Sequence, residues 1–179
     1  MKRALTFLAL AGLSGAAMAQ QQQDPLSQIQ IGVSPGWYLP TSKDLQDAFG
    51  AQIFTLGLGP VSTSRPVSNK LSPTFNIIGA DRDGNRFLQV PVTLGYEWHF
   101  GDDKSSTFPF ARLDAGLSYY NFDIGSASGS GVGYVGSATV GYVLSQNLQV
   151  SAKYYLFQDR DGINFNGLQL AVTIALFHL

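Results

Sequence analysis

Along most of this chain large apolar side chains alternate with small or polar ones, and a period of two reads as β structure. Over residues 87–100, Leu88, Val90, Val92, Leu94, Tyr96, Trp98 and Phe100 share one face. Gln89, Pro91, Thr93, Gly95, Glu97 and His99 share the other. Residues 28–39 repeat the pattern, with Ile31, Val33, Trp37 and Leu39 opposing Gln30, Gly32, Gly36 and Tyr38. Leu148–Phe157 sets Val150, Tyr154 and Leu156 against Gln149, Ser151, Lys153 and Tyr155. The last segment sets Leu168, Leu170, Val172, Ile174 and Leu176 against Gln169, Ala171, Thr173 and Ala175. Residues 52–60, Phe108–Ile124 and 132–144 alternate with less contrast. The faintest segment is 71–80, around Phe75 and Ile77. Clusters of Gly, Asp, Ser and Asn separate the segments, so eight strands are expected.

Two architectures share such a pattern. A lipocalin-like barrel turns its apolar face inward around a ligand, and a membrane barrel turns it outward to lipid. The opposite face discriminates. A water-facing surface would be rich in Lys and Glu. Here it is Gly, Ser, Thr, Ala and Gln, and charged residues make up only 13% of the chain, about half the usual share. Small side chains suit the narrow lumen of an eight-stranded barrel. Lipid also demands closure, because every backbone group in hydrocarbon must be paired. The expected fold is all-β, an eight-stranded antiparallel up-and-down transmembrane β-barrel over residues 28–179.

The N-terminus agrees with export. Lys2 and Arg3 precede a short apolar run, and Ala17-Met18-Ala19 is an A-x-A cleavage pattern. That run is too short to span a bilayer as a helix. Residues 1–19 read as a signal peptide and 20–27 as a periplasmic segment. Without Lys2 and Arg3 the chain carries 9 basic and 12 acidic side chains, a formal charge of −3, which offers no footprint for nucleic acid. There is no cysteine, hence no disulfide and no thiolate metal site. No cofactor or metal is expected.

An even strand number puts both ends in the periplasm. Residues 61–72, 101–107 and 145–147 become periplasmic turns. Residues 41–51, 81–86, 125–131 and 158–166 become outside loops, and Trp98, Phe100, Tyr142 and Phe177 a periplasmic aromatic girdle. Segment 41–51 has local helical character, with Thr41 or Ser42 as cap and Leu45, Ala48 and Phe49 on one side. It reads as a surface helix, a lid on the lumen or an ordinary loop. The Gly/Ser run 125–131 reads as a mobile loop.

The signal peptide, the eight alternating strands and the terminal run GLQLAVTIALFHL together resemble the small outer-membrane β-barrel group typified by OmpA's transmembrane domain, OmpX and OmpW. The resemblance covers the whole mature chain. It implies a monomer in contact with outer-membrane lipid, inserted by the barrel-assembly machinery. That group usually ends in a lipid-facing Phe or Trp. Here the end is Phe177-His178-Leu179, and Leu179 falls on lumen parity unless a bulge intervenes.

Glu97, Arg112, Asp114 and Lys153 lie on the lumen face. Charges buried there cost several kcal/mol unless paired, so a plugging salt-bridge network is expected, with Glu97 beside Arg112. A path for protons or substrate is the sharper reading. Tyr38, Phe87, Tyr120, Phe122, Tyr155 and Phe157 are lumen-facing near the outer end and form a candidate apolar upper lumen. This suggests transport of hydrophobic compounds as in OmpW. His99, with Asp102 near in sequence, is the candidate for a lipid-modifying enzyme, but no nucleophile–base spacing supports catalysis; His178 reads as interfacial. The Asp-Arg-Asp-Gly runs at 81–84 and 159–162 depart from a Ca²⁺-loop register and read as turns. The expected role is structural or surface interaction, not catalysis. Transporter, enzyme and soluble periplasmic binding barrel stand as alternatives.

Overall fold

A computed structural model describes residues 30–61, 70–101 and 106–178. The elements are β1 Gln30–Pro40, α1 Lys43–Phe49, β2 Ile53–Val61, β3 Lys70–Arg82, β4 Asn85–His99, β5 Phe108–Ile124, β6 Ala127–Ser145, β7 Leu148–Phe157 and β8 Gly167–His178. Each strand pairs antiparallel with the next, and β8 pairs with β1 to close the barrel. The signal peptide, the segment 20–27, Ile29, Asp102 and Leu179 lie outside the described residues, as do parts of two expected periplasmic turns, 62–69 and 102–105.

The alternation translates into two surfaces. Lumen-parity residues such as Tyr38, Thr55, Gln89 and Gln169 are buried, whereas Trp37, Phe54, Leu113, Leu117, Tyr134 and Leu156 are exposed on the outer wall. From Leu88 to Trp98, at about 3.3 Å per residue and a tilt of roughly 40°, this apolar wall is about 25 Å tall. The apolar face therefore points outward, opposite to a lipocalin-like barrel.

Several outer connections are tighter than the sequence suggests. Arg82 pairs with Asn85, leaving Asp83 and Gly84 as a two-residue turn with φ of 51° and 82°, the type I′ geometry that Asp-Gly favours. Asp161 and Gly162, at 49° and 79°, repeat it between Arg160 and Ile163. The expected mobile loop at 125–131 is corrected to strand. β6 begins at Ala127, which pairs with Ile124, so only Gly125 and Ser126 turn the chain. The ladder with Tyr120–Ile124 satisfies the backbone of this Gly/Ser stretch, and backbone pairing here outweighs weak β propensity.

The segment 41–51 forms α1. Ser42 caps it, its hydroxyl accepting from the Leu45 N–H at 3.4 Å, and Gly50 ends it at φ 89°. Leu45 and Phe49 are buried within the barrel mouth, so the helix lids the lumen.

Three seams are irregular, one of them β6–β7, where Val143 pairs with Gln149 but Ser145 with Leu148. β2 and β3 pair only from Thr55↔Ile78 to Leu58↔Phe75. Beyond that point the register would bring Pro60 opposite Pro73, and proline has no N–H for the ladder. On β8, Ile31 pairs with Phe177 but Gly32 with Ala175. The register thus skips Leu176, a bulge near the end of β8.

Candidate functional site

The lumen is filled in layers. At the α1 end, Tyr38, Phe87, Phe122, Tyr155 and Phe157 are buried together, and Tyr120 packs against them half-buried. Leu45 and Phe49 enter from α1, and Ile163 and Phe165 from the β7–β8 connection. Phe165 is central, with ring centroids 5.6 Å from Phe87 and 5.2 Å from Phe122. The Tyr38 hydroxyl donates to the Phe165 carbonyl. Burying one such ring contributes about 1.5–3 kcal/mol. Above this layer the Arg160 guanidinium lies 5.2 Å over the Tyr120 ring.

Below it comes a layer of neutral polar groups. The Gln169 amide donates to Thr55 Oγ1 at 2.8 Å and accepts from the Tyr155 hydroxyl at 3.2 Å. Ser118 donates to Gln89 Oε1 at 2.9 Å. These pairings offset desolvation of the amides.

The charged layer follows. Glu97 and Arg112 are register partners across β4 and β5, as the hairpin reading implies. The closest ion pair is a different one. Arg112 Nε donates to Asp114 Oδ1 at 2.8 Å, while its Nη1 is 3.7 Å from Glu97 Oε2. Nη1 and Nη2 donate to the Ser72 hydroxyl and carbonyl, each at 2.5 Å. Asp114 also accepts from Thr93 at 3.3 Å and Ser137 at 3.2 Å. Lys153 Nζ is 3.8 Å from Asp114 Oδ2. Gly95 makes room for this cluster: a Cβ there would sit 2.7 Å from Arg112 Nε and closer still to the Asp114 carboxylate.

Glu97 Oε1 instead lies 2.7 Å from His99 Nε2. His99 packs edge-on against Phe108 at 5.3 Å, and Phe108, Phe110 and Val143 form a second apolar cluster towards the end of the barrel opposite α1. The contact between His99 and Glu97 was legible: residues two apart on a strand share a face. Ser72, Thr93 and Ser137 share lumen parity but carry no signal of which charge they serve. Phe165 and Ile163 had none, since they lie in a connection without alternation.

Chemically, the charged layer holds two cations and two carboxylates in mutual contact. His99 has a carboxylate neighbour, yet among the described residues no serine or other nucleophile is hydrogen-bonded to it. The ion pairs set these charges against one another within the barrel wall.

No protein-family model matches the chain, and no curated protein matches it in sequence. Solved structures do match in fold. The N-terminal β-barrel domain of Pseudomonas aeruginosa OprF aligns over 83% of this chain and 98% of that one, at 10% identity and a TM-score of 0.51. The Yersinia pestis outer membrane protein Ail aligns over 83% and 100%, at 13% identity and 0.48. Neisserial surface protein A aligns over 83% and 96%, at 13% identity and 0.46. The class defined is thus the small, closed, eight-stranded antiparallel barrel, a fold shared with OprF's N-terminal domain.

Proposed function

We propose that this protein is an integral outer-membrane barrel with a structural or surface-interaction role and a lumen closed to flow. The observation that carries the reading is the inversion of the two faces. Large apolar side chains ring the outside, and the inside is packed with paired polar and charged groups. Such an exterior is stable against hydrocarbon and not against water. The partners that follow are outer-membrane lipid around a monomer and the assembly machinery during insertion. Export is consistent with the signal-peptide pattern at residues 1–19.

The lumen contents favour the structural role. Leu45, Phe49 and Phe165 fill the apolar mouth where a hydrophobic substrate would enter, and Arg112 and Asp114 block the polar layer. The test is single-channel recording of the purified barrel in planar bilayers. The expected record shows no steady conductance above the background of small barrels. A stable open level would overturn the closed lumen and favour the transport reading.

A further inference from the structure

The β5–β6 hairpin rises above the strand beside it. β5 pairs with β6 as far as Ile124↔Ala127, but β7 pairs with β6 only from Val135↔Phe157 onward. Beyond Phe157 the chain leaves the sheet, because Ile163 and Phe165 are drawn into the mouth. Its side chains then lie against the inner face of β6, where glycines leave room for them. A Cβ at Gly133 would sit 3.0 Å from Arg160 Nη2, and one at Gly129 3.2 Å from Asp161 Oδ2. The edge of β6 above Tyr134 is thus left without a neighbouring strand.

Backbone parity decides which groups point there. The Tyr134 carbonyl accepts from the Gln158 N–H at 3.2 Å, and the Val132 carbonyl from Arg160 Nη2 at 3.4 Å. Even-numbered residues of β6 therefore turn their backbone groups away from β5. The N–H and C=O of Ser128 and Ser130 continue this row, with no partner among the described residues. Open edges are usually blunted by Lys, Pro or a bulge. Residues 128–131, Ser-Gly-Ser-Gly, carry none of these, and their register with β5 is unbroken. Donors and acceptors repeating every second residue along an edge match one chemistry, that of another extended backbone.

The charges beside the edge select among such backbones. Asp123 is the register partner of Ser128, and Asp161 lies behind Gly129. Both are exposed, and neither has an ion-pair partner among the described residues. Arg160, the cation nearby, is held over the Tyr120 ring and against Gln158. An added strand would lie about 4.8 Å from β6. A long cationic side chain opposite Ser128 passes over that small residue towards Asp123, and one opposite Gly129 meets Asp161. Either parity of the added strand therefore brings a basic residue to a carboxylate.

We propose that the free edge of β6 takes up an extended basic segment of a partner protein as an added strand. This deepens the surface-interaction reading and rests on it, since the outer apolar row of β6 ends at Val132 and the serines beyond it stand clear of lipid.

The test is fluorescence anisotropy with the folded barrel in a non-ionic detergent. The probe is a dye-labelled seven-residue peptide alternating threonine and lysine. It should bind saturably, and more weakly as salt rises. The same peptide N-methylated at every residue, which loses its donors, should not bind. S130P removes an N–H that the β5 ladder does not use and should weaken binding about tenfold. D123N combined with D161N should weaken it too and remove most of the salt dependence. The fold of each variant is checked by the gel mobility of the unboiled protein. No saturable binding, equal binding of the N-methylated peptide, or wild-type affinity in S130P would overturn the site. Equal binding of a threonine–glutamate peptide would overturn the basic partner. A barrel that sediments as a dimer which the peptide cannot dissociate would give the edge to a second copy instead. None of these results bears on the closed lumen, which the channel recording tests separately.

Discussion

Replacing Asp114 by asparagine removes one negative charge from a place where no water can take its role. The Asp114 side chain is fully buried, and Arg112 beside it is 4% exposed. With Asp114 present, Arg112 and Lys153 face two carboxylates. In D114N only Glu97 remains, 3.7 Å from Arg112 and already shared with His99. Removing one partner of a buried pair costs about 3–5 kcal/mol. The asparagine oxygen still accepts one hydrogen bond, which argues for the lower end, about 3 kcal/mol. With a urea dependence of about 1–3 kcal/mol per molar, the unfolding midpoint should fall by roughly 1–3 M. The assay is equilibrium urea unfolding in lipid vesicles, followed by fluorescence of Trp37 and Trp98. The double variant R112M/D114L removes the pair together and leaves Lys153 with Glu97. It should be closer to wild type than D114N, because buried ion pairs replaced whole by apolar groups are often neutral. A D114N midpoint within about 0.3 M of wild type, a shift below that expected even at the lower bound, would refute the reasoning. So would a double variant weaker than the single one.

The outer wall and the mouth give further expectations in the same assay. L117K places a charge on the exposed apolar face opposite Val92, near the middle of the wall, and should cost about 2–4 kcal/mol in a bilayer. A cost within about 0.5 kcal/mol, as on a water-facing surface, would contradict lipid contact. F165A opens a space between Phe87 and Phe122 and should cost about 3–5 kcal/mol. A change below about 1 kcal/mol would mean that Phe165 does not anchor the mouth.

The parity of every strand but β3 could be read from the sequence because one apolar stripe of period two assigns all side chains at once. Phe108–Ile124 and Leu148–Phe157 keep the ends read from the sequence. The start of β6 was hidden because Ala127 to Gly131 offers no large side chain to mark a face; its strand is imposed by β5. The faint alternation around Ser72, Pro73 and Thr74 has a similar cause, since that stretch is organised by pairing with β4. In the charged layer, parity brought Glu97 beside Arg112, but a long guanidinium can turn along its own strand, and it turns to Asp114. That preference depends on side-chain torsions and on the space left by Gly95, which periodicity does not encode. The plug from Ile163 and Phe165 is a tertiary contact of a connection, invisible to any repeat. The bulge at Leu176 is set by how β8 closes on β1, a constraint that exists only once the barrel is complete.

The outward orientation of the apolar wall is tested most directly by isolating the protein from fractionated cells and running it on a detergent gel with and without boiling. The account predicts recovery from the outer-membrane fraction and an unboiled band of different apparent mass, because a closed barrel resists detergent until heated. Recovery from the soluble periplasm, with identical bands before and after boiling, would contradict it.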